Sequence, residues 1–198
     1  MGASAIPVIL TFALIFVAWQ VVFSSNRDLF RARAWRELAQ RLFPFAAIIM
    51  AASLPLVQGV SVWWVPYAWA LVFGVVLVVA NFLSMPLNER RAASAFRKGD
   101  YAGAAALYRK LAEDRPLARY WAFLGAALGA GERHEEGVDA STKAVELDPE
   151  YGLAYYNRAL ILRRLGRNSR ATKDLQRALE ADLPRRFRTA ARGMLEES

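Results

Sequence analysis

Long uncharged apolar runs dominate the first half of the chain. Residues 5–23 carry no charge, and a second apolar block, residues 43–87, is too long for one membrane crossing and is interrupted by VQGVSVWWVPY. A helix needs about 20 mainly apolar residues to cross a hydrocarbon core of about 30 Å. The pattern therefore predicts three transmembrane helices, at residues 5–23, 43–60 and 65–84.

The second of these segments is short for a span, because its clearly apolar part ends near Gln58. Such a segment either crosses with little tilt or enters the membrane and returns on the same side, where neighbouring protein satisfies its backbone. Three spans, or two spans and a re-entrant segment, both fit the pattern.

Residues 26–42, between the first two predicted spans, place Phe30, Ala34, Leu38 and Leu42 four residues apart among arginines. This spacing predicts a basic amphipathic helix that lies at the membrane surface beside anionic lipid. The alternative interpretation is two ordinary helix ends whose arginines set the topology. The pattern does not separate the two.

The distribution of basic residues predicts the orientation. Five arginines lie between the first two predicted spans, none lies between the second and third, and four bases follow the third: Arg90, Arg91, Arg97 and Lys98. Because positive loops stay on the cytoplasmic side, we expect the N-terminus outside and the C-terminal part in the cytoplasm. The excess of arginine over lysine hints at a bacterial source, so the expected location is a bacterial inner membrane.

The second half changes character and repeats itself. Ala118 to Glu150 reads ARYWAFLGAALGAGERHEEGVDASTKAVELDPE, and corresponding small residues recur 33 and then 34 positions apart at Ala104, Gly137 and Ala171. The segment resembles the tetratricopeptide repeat, a helix-turn-helix unit of about 34 residues. Trp121, Leu124, Gly125, Ala144 and Pro149 carry the resemblance, while Leu128 and Ser141 replace the usual Tyr and Phe.

Together, the apolar runs and the resemblance predict an all-α protein in which a membrane domain, residues 1–87, precedes a cytoplasmic domain, residues 88–198. The resemblance implies an α-solenoid of three helix pairs whose apolar faces are buried only by stacking, followed by a capping helix. The predicted repeats cover residues 85–117, 118–151 and 152–185, and the cap covers residues 186–197.

The sequence offers little catalytic chemistry. It has no cysteine, and its single histidine, His134, lies in a predicted turn beside the acidic residues Glu132, Glu135 and Glu136, where acids suit a helix N-terminus. No nucleophile, nucleotide or zinc motif is present. We therefore predict no enzyme activity, no catalytic residues, no metal site and no cofactor.

Tetratricopeptide repeats usually bind peptides or partner helices on the concave face formed by the first helix of each pair. The resemblance puts an arginine-rich groove on that face, which suits a protein partner with carboxylates, such as an acidic peptide or C-terminal tail. The predicted groove residues are Glu89, Arg90, Arg97, Arg119, Phe123, Tyr156, Asn157, Leu160, Arg163 and Arg164.

Three functions are compatible with these patterns. The leading one is a membrane-anchored adaptor or assembly scaffold that binds a protein partner at the cytoplasmic face. The alternative is an accessory subunit of a larger membrane enzyme or secretion complex, held mainly through its transmembrane helices. The third, a membrane-anchored nucleic-acid binder, rests only on the basic residues between 158 and 192, and the lack of a reading motif argues against it.

Overall fold

The computed structural model describes most of the second half of the chain and parts of the first half. The chain forms two compact units, Met1–Pro86 and Leu87–Ser198. Every described element is helical or a turn, and no strand occurs among the described residues. These are residues 9, 12–13, 15–17, 19–20, 23–24, 26–35, 37–39, 41–42, 62–83 and 86–197.

In the first unit, two helices have both ends within the described residues: α1 (Arg27–Arg31) and α2 (Val65–Leu83). Among the helices of the described residues, none is both long and apolar enough to cross a membrane. The first predicted span, residues 5–23, falls on residues that are described only in part, and the second, residues 43–60, lies outside the described residues. The third, residues 65–84, coincides with α2, so the structure does not support it as a span, whereas the first two stay predictions.

Of the two interpretations left open for residues 26–42, one continuous helix does not agree with the structure. Helix α1 ends at Arg31, and Arg33 adopts a left-handed backbone with φ 52° before helical residues resume at Trp35. The amide of Ala34 donates to the carbonyl of Leu29 over 3.0 Å and that of Arg33 donates to Phe30 over 3.2 Å. These are the two bonds of a Schellman turn, which satisfies the terminal carbonyls of α1 and redirects the chain.

The second unit consists of seven helices that pack in sequence. Six of them form three pairs, and in each pair a short turn joins a first helix to an antiparallel second helix. The seventh helix is unpaired. The pairs are α3 (Leu87–Arg97) with α4 (Tyr101–Asp114), α5 (Ala118–Ala130) with α6 (His134–Leu147), and α7 (Gly152–Arg164) with α8 (Asn168–Glu180); the last helix is α9 (Arg185–Glu196).

All three turns inside the pairs use a left-handed residue at the same place. Gly99 has φ 81°, Gly166 has φ 71°, and Glu132 adopts φ 64° at the equivalent position of the middle pair. In the middle turn the amide of Arg133 donates to the carbonyl of Leu128 over 2.9 Å, and the other two turns contain the same bond. Because a side chain is disfavoured in this conformation, Glu132 occupies a site that suits glycine better.

Small residues let the two helices of a pair touch. A Cβ atom on Gly125 would lie 2.2 Å from the Oγ of Ser141 on α6 and 2.9 Å from the carbonyl oxygen of Gly137. Ala92 and Ala104, at the equivalent positions of the first pair, are fully buried. The backbones of α5 and α6 therefore approach more closely than any larger residue at position 125 would allow.

The core of the second unit is built from its own residues. One cluster joins the buried side chains of Leu153, Leu162, Leu175 and Leu183 to apolar residues of α9, and a smaller one joins α5, α6 and α7 around Ala122. An isolated fragment of residues 87–198 is therefore expected to fold, because both clusters are formed by residues of the second unit.

Candidate functional site

The surface formed by the first helices α3, α5 and α7, hereafter the first-helix surface, contains the predicted groove residues. The line of contact between two neighbouring first helices is called a seam below. A polar cluster joins the two helices at the α3–α5 seam. The hydroxyl of Tyr120 donates to Oε2 of Glu89 over 3.1 Å, and the guanidinium of Arg119 lies 4.0 Å from the same carboxylate. Glu89 and Arg119 are only 3% and 7% exposed, so they bind each other's helix and are not available to a partner.

The α5–α7 seam is also held by a buried polar contact. The Nδ2 of Asn157 donates to the main-chain carbonyl of Ala122 over 3.0 Å, and Asn157 is only 8% exposed. A buried amide requires such a partner. Asn157 therefore fixes α7 against α5, which is a structural role that the repeat frame alone did not reveal.

One aromatic residue of the first-helix surface packs against an aromatic residue of a second helix. The ring of half-buried Phe123 packs at 5.3 Å from that of Tyr108 on α4. Burial, and next the charge of Glu89, raise the pKa of Tyr108 to about 12, although Arg97 acts in the opposite direction. The phenol of Tyr108 therefore stays protonated at any physiological pH.

The accessible part of the predicted groove consists of arginines and partly covered apolar side chains. Arg97, Arg163 and Arg164 are exposed, while Phe123 and Leu160 are half-buried. Arg164 donates from Nη1 to the carbonyl of Gly129 over 2.8 Å and so satisfies one of the terminal carbonyls of α5. The remaining residue of the predicted set, Arg90, is half-buried.

Helix α9 extends this surface beyond the predicted residues. The ring of Phe187 lies 5.2 Å from that of Tyr156, which is 8% exposed, and Met194 and Leu195 join the cluster that includes Phe123 and Leu160. Glu197 follows α9 and approaches Arg163 to 3.6 Å. The sequence predicted α9 only as a cap, although Phe187 stands 34 residues after Leu153 and so continues the repeat as a further first helix.

Most bases near the end of the chain already have partners. Arg158 forms a bidentate pair with Asp174, and Arg167 reaches Glu135 of the preceding pair at 2.6 Å. Arg188 donates to the carbonyls of Leu183 and Ala181. The basic stretch that motivated a nucleic-acid hypothesis therefore serves largely to join helices.

The acidic turn around His134 contains ion pairs and no metal cluster. Glu136 lies 2.6 Å from Arg133 and 3.4 Å from Arg109, and its hydrogen bond from Arg133 lowers its pKa. Within the residues that the structure describes, no group of three potential ligands is placed to hold a metal ion.

Comparison with known proteins agrees with the repeat architecture. Two family descriptions, both "Tetratricopeptide repeat", match residues 118–151 and residues 141–173. No curated protein matches. A solved structure titled "MamA RS-1 ArsTM double mutant" is 19% identical, with 75% of this chain and 93% of that chain covered and a TM-score of 0.44.

The predicted resemblance is thus confirmed where the family matches lie, over the second pair of helices and into the third. Tetratricopeptide repeats generally act as non-enzymatic scaffolds for protein–protein interaction. From its helix pairs and these matches, the chain contains tetratricopeptide repeats.

Proposed function

We propose that this protein is a membrane-anchored adaptor or assembly scaffold that binds an acidic protein partner on its first-helix surface. The observation that carries the proposal is that the first helices combine the exposed Arg97, Arg163 and Arg164 with the half-buried apolar side chains of Phe123 and Leu160. Guanidinium groups bind carboxylates in bidentate geometry, and adjacent apolar side chains supply the contact area that fixes a peptide.

Anchoring in a bacterial inner membrane, with the repeats in the cytoplasm, is part of this proposal. The three uncharged runs and the positions of the arginines support it. The exposed apolar side chains on α2, including Leu71 at 73%, Val75 at 58% and Val78 at 70%, also support it. Such a surface is costly in water and requires a cover of lipid or protein.

Partner binding on the first-helix surface is tested by comparing two double variants that change the net charge by the same amount. The double variant Arg97→Glu/Arg163→Glu changes the first-helix surface, and Lys110→Glu/Lys173→Glu changes exposed residues of α4 and α8. Full-length proteins are purified from their native membrane and the copurifying proteins are quantified by mass spectrometry. We expect a stoichiometric acidic partner to be lost from the first variant and retained by the second. Equal retention by both would contradict partner binding on this surface.

The alternative function, an accessory subunit held through its membrane segments, is distinguished by truncation after residue 87. A partner bound by the repeats is lost with residues 88–198. A partner that copurifies with the truncated chain would instead place the main interface in the first unit, and the exposed face of α2 would be the first region to examine.

The proposed topology is tested with single cysteines, because the natural chain has none. Cysteine at Ser4 should react with a membrane-impermeant maleimide in intact spheroplasts, whereas cysteine at Ser169 should react only in inside-out vesicles. Labelling of Ser169→Cys from the outside would show that the proposed orientation is wrong.

A further inference from the structure

The segment between the first two predicted spans has a defined turn with one buried side and one exposed tip. Its residues 26–42 begin three residues after the first predicted span and end directly before the second. If the proposed membrane anchoring holds, on which this inference rests, both ends of the segment are tied to the membrane surface. Any exposed side chain at its tip then lies near the lipid headgroups.

The buried side holds the turn together. Leu29 of α1 is fully buried, and Leu38, which follows the turn, is 4% exposed. The Nη1 of Arg41 donates to Oδ1 of Asn26 over 3.2 Å, and Asn26 is 2% exposed. This hydrogen bond connects the two ends of the segment and does not involve the side chain of Arg33.

The tip exposes one arginine and one tryptophan two residues apart. Arg33 is exposed, and Trp35 is 61% exposed although its ring contacts Phe30 edge-on at 6.4 Å. An exposed tryptophan is unfavourable in water but is stabilised at the headgroup level, where its ring meets lipid and its N–H meets water. An arginine at the same level can bind phosphate through two parallel hydrogen bonds.

The backbone conformation of Arg33 does not require its side chain. With φ 52° it occupies the position of a Schellman turn where glycine is favoured, and it has no contribution to the buried side described above. A non-glycine residue in this conformation has a conformational cost, as Glu132 does in the second unit, and the side chain of Arg33 can therefore be removed without loss of the turn.

We propose that Arg33 and Trp35 form a contact site for anionic lipid headgroups, with the Arg33 guanidinium on the lipid phosphate and the Trp35 ring at the level of the glycerol backbone. The site fixes the position of the segment relative to the membrane surface. Its ligand is a phosphate within a bilayer, so free inorganic phosphate should not replace it.

The test uses the full chain in lipid nanodiscs with a single cysteine at Ala32, which is exposed beside the tip. A bimane label on this cysteine is quenched by headgroup-labelled doxyl lipid in discs of phosphatidylcholine alone and of phosphatidylcholine with phosphatidylglycerol. We expect quenching to increase at least about twofold when phosphatidylglycerol is added, since its charge attracts arginine at short range. Inorganic phosphate at the same concentration should leave the signal unchanged.

Arg33→Gly is the decisive variant, because glycine keeps or improves the turn while it removes the guanidinium. We expect it, and Trp35→Ser, to lose most of the phosphatidylglycerol-dependent quenching. Arg170→Gly, in which an exposed arginine of α8 is changed, is the matched control and should behave like the natural chain.

The possible outcomes separate this inference from the proposed anchoring. A chain that fails to enter nanodiscs would overturn both. A chain that enters them, but whose Arg33→Gly variant retains the full phosphatidylglycerol effect, would overturn the lipid site alone. Loss of quenching in the natural chain on addition of a cytoplasmic protein partner would assign the tip to protein binding instead.

Discussion

Replacing Asp174 with asparagine should destabilise the repeat unit by about 3 kcal/mol. In the natural chain the Nε and Nη2 atoms of Arg158 donate to the two carboxylate oxygens of Asp174 over 2.7 and 2.8 Å, and Nη1 donates to Thr142 over 3.0 Å. The pair therefore joins α6, α7 and α8. Its side chains are 18% and 11% exposed, so it is mostly removed from water.

The magnitude follows from leaving a buried arginine without its counter-charge. Removing one partner of a buried pair typically costs about 3–5 kcal/mol, and the remaining exposure of this pair places it at the lower end of that range. For a unit of this size, with a urea dependence of about 2 kcal/mol per molar, about 3 kcal/mol lowers the unfolding midpoint by about 1.5 M. Asparagine is the appropriate replacement because it preserves side-chain volume and differs little from aspartate in helix propensity.

The assay is urea unfolding of the 87–198 fragment, followed by circular dichroism and by tryptophan fluorescence so that loss of a single repeat is not mistaken for complete unfolding. Glu180→Gln is the control, because its pair with Arg177 is 63% exposed on both sides and is expected to contribute little to stability. The double variant Arg158→Met/Asp174→Asn should recover part of the loss. A loss below about 1 kcal/mol for Asp174→Asn would refute the assigned role of the pair.

Three further predictions concern the same fragment. Glu132→Gly should stabilise it by about 1 kcal/mol in urea unfolding, because glycine tolerates φ 64°; a loss would contradict this. Gly125→Ala should destabilise it by about 1–3 kcal/mol through the clash with Ser141, and Ser141→Gly in the same chain should restore part of this. The pKa of Tyr108 is raised above the ordinary value of 10.0 to about 12, so the contribution of the Tyr108 phenol to stability should be intact below pH 10 and lost between pH 10 and 12. Tyr108→Phe should remove this part of the pH dependence. Urea unfolding of both chains at pH 9 and pH 11 would test it.

The architecture of the repeats was readable from the sequence because it follows from a period. The 33- and 34-residue spacing of Ala104, Gly137 and Ala171 specifies where helices must touch, and a period survives the replacement of individual motif residues such as Ser141. The left-handed residue in each turn is also periodic, although Glu132 conceals it in the middle pair.

The division of the candidate groove into seam and open surface was not readable. A repeat frame assigns Glu89, Arg119 and Asn157 to first helices, but whether each side chain is exposed depends on the neighbouring helix about 30 residues away. In the structure all three are buried by contacts across that distance. Whether the remaining exposed residues bind a partner is still a prediction.

The pattern of residues 26–42 could not decide between one helix and two helix ends. The four-residue spacing of apolar positions continues through the Schellman turn, and Leu29 before it and Leu38 after it are both buried. A hydrophobic pattern predicts which side chains are buried, but it does not predict the sign of φ at a single residue such as Arg33.

The ion pairs between consecutive helix pairs also have a mechanical consequence. Arg167 with Glu135, and Arg109 with Glu136, are exposed links that salt screens over a distance of about 8 Å at physiological ionic strength. The mostly buried Arg158–Asp174 pair is protected from that screening. Raising the salt concentration should therefore weaken these ion pairs, and one repeat should then bend more easily against the next. Each repeat keeps its own fold. The bending stiffness of the array should thus decrease as the ionic strength rises.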